Sequence, residues 1–142
     1  MIHGTELGVG ACRFAGAARY IPHVARRRIS PDEGRRALAV WQGGQAQPAQ
    51  LRTAVRYSLE ELAARVPGTS VEVRVPPAGV VQVIEGPRHT RGTPPNVVET
   101  DQETWMRLVT GDLTWSQALA AGAVSASGQR ADLDAVLPLF VR

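Results

Sequence analysis

A chain of 142 residues holds one domain with one modest core, and 44% apolar with 5% aromatic residues is a globular rather than a disordered balance. Its net charge of +3 comes from 16 basic residues, all arginine, against 13 acids. The single cysteine, Cys12, excludes an intrachain disulfide and points to a reducing cytoplasm, and no apolar run approaches the length of a membrane-spanning helix.

The charge is unevenly placed. Residues 1–56 hold nine arginines against Glu6, Asp32 and Glu33, whereas residues 57–142 hold seven against ten acids. The basic character therefore belongs to the front of the chain. Residues 1–23 have no sustained period and read as disordered or loosely attached, within a basic leader over 1–29. They are not patterned as a signal peptide, since Glu6 sits in the would-be basic region and Arg13 interrupts the apolar one. Val24-Ala25-Arg26-Arg27-Arg28 reads as an alternative start, with a GTG codon giving Met-Ala-Arg-Arg-Arg; the intact mass of protein from the native host checks this.

A short helix and linker occupy 30–50. Ser30 is a cap, Pro31 suits the first helical position, and Asp32 and Glu33 favour the first turn; the helix runs to about Trp41 and stops at Gly43-Gly44. Gln45 to Gln50 reads as a polar linker. A longer helix follows, with Leu51, Val55, Leu59, Leu62 and Val66 on one stripe, stopped by Pro67-Gly68. Next, Val71, Val73 and Val75 alternate with Glu72 and Arg74 in a strand with one buried face. After the turn Pro76 to Gly79, the run Val80 to Ile84 is apolar on both sides and reads as a more central strand. Gly86 to Pro95 is a long loop, and Asn96 to Glu99 a short strand.

The stretch 100–137 carries the most organised pattern. Thr100 with Glu103, and Thr114 with Gln117, have capping-box spacing, and Gly111 and Gly122 follow the two helices they open. Trp105, Leu108 and Val109 share one face of the first; Trp115, Ala118 and Leu119 share one face of the second. Val124 to Ser127 alternates as a strand ended by Gly128, and Leu133, Val136 and Leu137 form a last amphipathic turn before Pro138.

This order of elements, with Thr110-Gly111-Asp112-Leu113, Ala118 to Gly122 and Ser127-Gly128 in matching places, resembles the C-terminal half of the sterol carrier protein 2 (SCP2) family. With Gly86 to Asp101 included, the chain looks like a small bacterial sterol-carrier-like branch, over roughly Leu51 to Phe140 within a domain spanning 51–142. The resemblance implies an α+β fold: a small, mostly antiparallel sheet covered by helices, SCP2-like, with the basic N-terminal helical extension before it. Three or four strands are countable where the family commonly has about five, which implies a reduced cavity or none. It also implies a non-enzymatic carrier of a lipid, sterol-like or other apolar small molecule, held in a tunnel between sheet and helices. Leu59, Leu62, Val83, Trp105, Leu108, Trp115 and Leu119 are the residues expected to line it or, alternatively, to fill the space as core, the plainer role for the two tryptophans.

Motifs for catalysis are missing. His3, His23 and His89 have no metal-ligand spacing, no Gly-x-Ser-x-Gly elbow occurs, and Gly8-Val9-Gly10 lacks the third glycine of a dinucleotide loop. No cofactor or metal is expected. The one conspicuous polar cluster is the loop with Arg88, His89 and Arg91, which suits an acidic head group or, alternatively, pairs with Glu85 and Glu99 as structure. Arg26, Arg27 and Arg28 suit an anionic membrane surface, while so few aromatics disfavour nucleic acid. The competing reading is an interaction or accessory module with a filled core, acting through that basic arm or the arginine loop.

Overall fold

Ser30 opens the first helix as its sequence pattern predicts, its hydroxyl accepting from Glu33 N–H at 3.2 Å ahead of α1 (Pro31–Gln42). In the computed structural model, which describes residues 26–87 and 96–141, the elements that follow are α2 (Pro48–Arg65), β1 (Val71–Val75), β2 (Gly79–Val83), β3 (Val97–Thr100), α3 (Gln102–Thr110), α4 (Trp115–Ala120) and β4 (Val124–Ser127). The fold is α+β. Its four-stranded sheet runs in the order β2-β1-β3-β4, antiparallel except for β1 beside β3.

Alternation decides which face of the sheet is covered. Val71, Val73 and Val75 of β1 are fully buried beside Val98 of β3. The opposite row carries Glu72, Arg74, Gln82 and Glu99 and is left to solvent or half-buried, so the helices lie on one face only. Against the buried face α2 brings Val55, Leu59 and Leu62, and α3 brings Trp105, Met106, Leu108 and Val109. The Trp105 indole N–H donates to Ser58 Oγ at 2.8 Å, and that hydroxyl donates on to Val55 O at 2.7 Å. The one polar atom of the largest core side chain is thus satisfied in the interior.

The basic extension packs onto this unit. Ile29, Ala37 and Leu38 are buried. A Cβ on Gly34 would stand 2.1 Å from Tyr57 Cγ, so α1 reaches α2 only because that position is glycine. At the other end, Leu139 and Phe140 N–H both donate to Val109 O at 2.9 Å, and Arg65 Nη1 donates to Leu139 O at 2.6 Å. Phe140 stacks on Tyr57 with centroids 5.7 Å apart. Both flanks of the sheet unit are therefore held on α2.

Several sequence-based expectations shift. Gln45 to Gln50 is not all linker: the helix begins at Pro48, with Gln50 Oε1 accepting from Gln47 N–H at 2.8 Å. Proline at the first helical position has the same role here as in α1. β2 is an edge strand rather than a central one. Its apolar run misled because Val80, on the outward row, is 57% exposed.

Thr100 does not cap α3. It ends β3 on the inward row, and its hydroxyl donates to Ala123 O at 2.8 Å. Asp101 is the cap, accepting from Thr104 N–H at 2.9 Å and from the Thr104 hydroxyl at 2.7 Å. Glu103, freed from a capping box, accepts from the Trp41 indole at 3.1 Å and so ties α3 to α1. The Thr114–Gln117 box is formed as expected, at 3.1 Å and 3.0 Å. The final segment closes as the expected turn, Val136 and Leu137 N–H both donating to Leu133 O at 3.1 Å.

Candidate functional site

The inward row of β2 is Gly79, Val81 and Val83, because these residues pair with Val75, Val73 and Val71 of β1. Val83 is fully buried, as is its partner, but Val81 and Gly79 are only half-buried. The cause lies on α2. Beyond Leu59, the side of that helix facing the edge strand carries Ala63 and Ala64, and two methyl groups do not reach far enough to cover β2. What remains is an open cleft of ≈ 620 Å³ between α2 and β2. That falls within the ~300–1,000 Å³ usual for small-molecule sites.

Close backbone contacts frame the cleft. A Cβ on Gly79 would lie 3.4 Å from Leu59 Cδ1, so the strand enters against the floor of the cleft. Gly68, also in the lining, has φ +154°, and a Cβ there would meet the Ile84 carbonyl at 2.1 Å. Ile84 itself has φ +64°, a left-handed conformation that is strained for a β-branched residue. It is held by two backbone bonds, Ile84 N–H to Val66 O at 2.9 Å and Ser70 N–H to Ile84 O at 3.0 Å. The chain thus leaves β2 by a fixed route next to the end of α2.

Charge gathers at the rim. Among the described residues, Arg26, Arg27, Arg28 and Arg56 line the cleft beside one carboxylate, Glu60. Both Glu60 oxygens are taken up by backbone: Oε1 accepts from Arg28 N–H at 2.9 Å and Oε2 from Ile29 N–H at 3.2 Å. Arg27 pairs with Glu61, whose carboxylate holds the guanidinium above its ordinary value. Arg56 Nε donates to Ala78 O at 2.8 Å, joining α2 to the β1–β2 turn.

Of the described residues expected to line a site, only Leu59 lies in this cleft. Leu62, Val83, Trp105 and Leu108 are fully or almost fully buried in the core, with Trp115 5% exposed beside them. Leu119 turns away from the core and is 42% exposed, so α4 presents only Trp115 and Ala118 inward. Arg88, His89 and Arg91 lie outside the described residues. Sequence reasoning missed Arg56, Ala63, Ala64, Gly68 and Gly79. The available signal was the pair of small residues at Ala63-Ala64, one turn after Leu59 and at the end of the apolar stripe. A second, polar groove of ≈ 370 Å³ lies between α1 and α3, lined by Trp41, Leu51, Glu103, Arg107 and Asp112 among others. No group of three or more His, Cys, Asp or Glu suited to a metal ion occurs among the described residues.

The family profile described as bacterial SCP ortholog matches residues 47–139. The chain belongs to that family. No curated protein matches it. The match begins at the residue preceding α2 and ends at Leu139. It takes in the sheet, the core helices and the floor of the cleft, and leaves out α1 and Arg26 to Arg28. At the family level an SCP-type domain is a lipid-binding carrier domain. No helix among the described residues is long and apolar enough to cross a membrane.

Proposed function

We propose that this chain is a non-enzymatic carrier whose cargo, a lipid or another apolar small molecule, seats in the cleft between α2 and β2. The observation that carries the reading is a partly covered apolar floor: Ala63, Ala64 and Val81, with buried Leu59 beneath them, line a space of ≈ 620 Å³ that no side chain among the described residues fills. Placing an acyl chain there removes apolar surface from water on both partners, at about 25 cal/mol per Å². Among the described residues the lining holds no serine, histidine, cysteine or aspartate, and its one carboxylate there, Glu60, is occupied by two backbone amides. Nothing in that set pairs a nucleophile with a base, which favours binding over turnover.

Native mass spectrometry of the purified protein tests the reading, alongside thermal unfolding with added fatty acid. A carrier retains co-purified lipid, and its melting temperature rises with the logarithm of ligand concentration. Absence of both effects rejects the reading.

A further inference from the structure

We propose that the cleft takes an acidic head group, a carboxylate or a phosphate, at its mouth, with Arg26, Arg28 and Arg56 as the groups that receive it. The inference rests on the cleft being the cargo site, and names the class of cargo. A basic arm beside a protein is ordinarily a solvated tail, and three observations separate this one from that case.

First, the arm is tied down at the cleft. Arg28 and Ile29 N–H bond to Glu60, Arg27 pairs with Glu61, and Ile29 is buried. The arginines are therefore held over the apolar floor, where neighbouring low-dielectric surface strengthens a charge-assisted bond.

Second, the local acids are already used in holding the arm. Glu60 accepts from backbone and Glu61 from Arg27, so among the described residues the guanidiniums of Arg26 and Arg28 meet no carboxylate. Arg56 is engaged only through Nε, to Ala78 O. That bond orients the planar fork and leaves its terminal amines available for a bidentate oxyanion.

Third, an apolar floor under a cationic rim complements one shape of ligand, an acyl chain ending in an anion. Arg26 and Arg28 lie outside the segment 47–139 that the family profile matches, and Arg56 lies within it, so two of the three receiving groups come from the chain's own extension.

The test uses the full chain and three probes of equal length: dodecanoate, dodecyl phosphate and dodecanol, each titrated calorimetrically below its micelle concentration. The wild type is expected to bind at least one acidic probe about tenfold more tightly than dodecanol. The stronger of the two acids identifies the carboxylate or the phosphate as the preferred source. The preference is expected to fall to near parity in the double variant Arg26→Gln with Arg28→Gln, and in wild type as salt rises. Arg56→Gln is expected to weaken the acids as well; because it also loses the bond to Ala78 O, the double variant of the two exposed arginines keeps the test independent of folding.

Equal affinity for the three probes, or a preference that survives the double variant, overturns the head-group assignment and leaves the cleft as a cargo site. Failure of all three to bind overturns the cleft reading together with this inference. Association only with equimolar phosphatidylcholine–phosphatidylglycerol vesicles also overturns it, in favour of a membrane surface as the arginines' partner.

Discussion

The inner face of one sheet is treated in two ways. Under β1 and β3, the helices α2 and α3 supply Leu62, Trp105, Met106 and Leu108, and these side chains are buried to within 1% exposure. Under the edge strand β2, the same α2 supplies Ala63 and Ala64, and Val81 and Gly79 stay half-uncovered. One helix thus closes the centre of the sheet and leaves its edge open, and the difference is side-chain volume at adjacent turns. In a small domain, a cavity needs no separate architecture; it needs two methyl groups where leucines would otherwise pack.

Four substitutions break or sharpen that contrast. The largest effect belongs on the closed side. Leu108→Ala removes a filled side chain between sheet and helix and is expected to cost about 2–5 kcal/mol in chemical denaturation. A loss well below that range would mean the centre is as open as the edge.

Gly34→Ala probes how tightly the extension is seated on the back of α2. With a Cβ 2.1 Å from Tyr57 Cγ, it is expected to cost about 1–3 kcal/mol unless α1 moves off. Unchanged stability would show that α1 does not need its close approach.

Asp101→Ala, at the start of the helix that closes the core, is expected to cost about 1 kcal/mol at neutral pH. Burial alone would push the Asp101 carboxyl up, but hydrogen bonds from the Thr104 amide and hydroxyl, with the Asp101 and Glu103 amides, outweigh it and hold the group below its ordinary value. A depressed folded value means the contribution is complete above the unfolded value, near pH ~4, and fades as pH falls through the folded one. The stability gap between wild type and Asp101→Ala should therefore close on acidification. A gap independent of pH from neutral to acid would remove Asp101 from the cap.

The smallest stability change is expected on the open side. Ala63→Leu extends into the cleft rather than into packed atoms, so stability should stay within about 0.5 kcal/mol of wild type. The same variant should lose bound fatty acid in native mass spectrometry. Retention of cargo by Ala63→Leu would move the cargo site elsewhere. Tryptophan emission is a poor reporter for this contrast, because Trp105 and Trp115 sit in the closed core and neither lines the cleft.

Local patterns were legible wherever one residue's neighbours in sequence are also its neighbours in space. The Ser30 and Thr114 caps, the alternation in β1, the stripe from Val55 to Leu62 and the left-handed Gly111 all follow from short-range rules, and all appear. The Thr100 cap failed by one residue for a tertiary reason. Its hydroxyl was claimed by Ala123 O across the β3–β4 pair, and Asp101 stood ready to replace it. The composition of Val80 to Ile84 likewise announced a strand but not its place, since only the parallel pairing of β3 with β1 pushes β2 to the edge. The cleft follows from that placement. Ala63, Gly79 and Arg28 are far apart in the chain and unremarkable singly; they line one cleft because β2 lies at the edge, α2 passes beneath it, and Glu60 binds the arm. The helices, strands and their inward faces were thus written in sequence periodicity, which is local. Which space would be filled and which left open was decided by packing, because volume is a property of the residues that meet and not of those that follow one another.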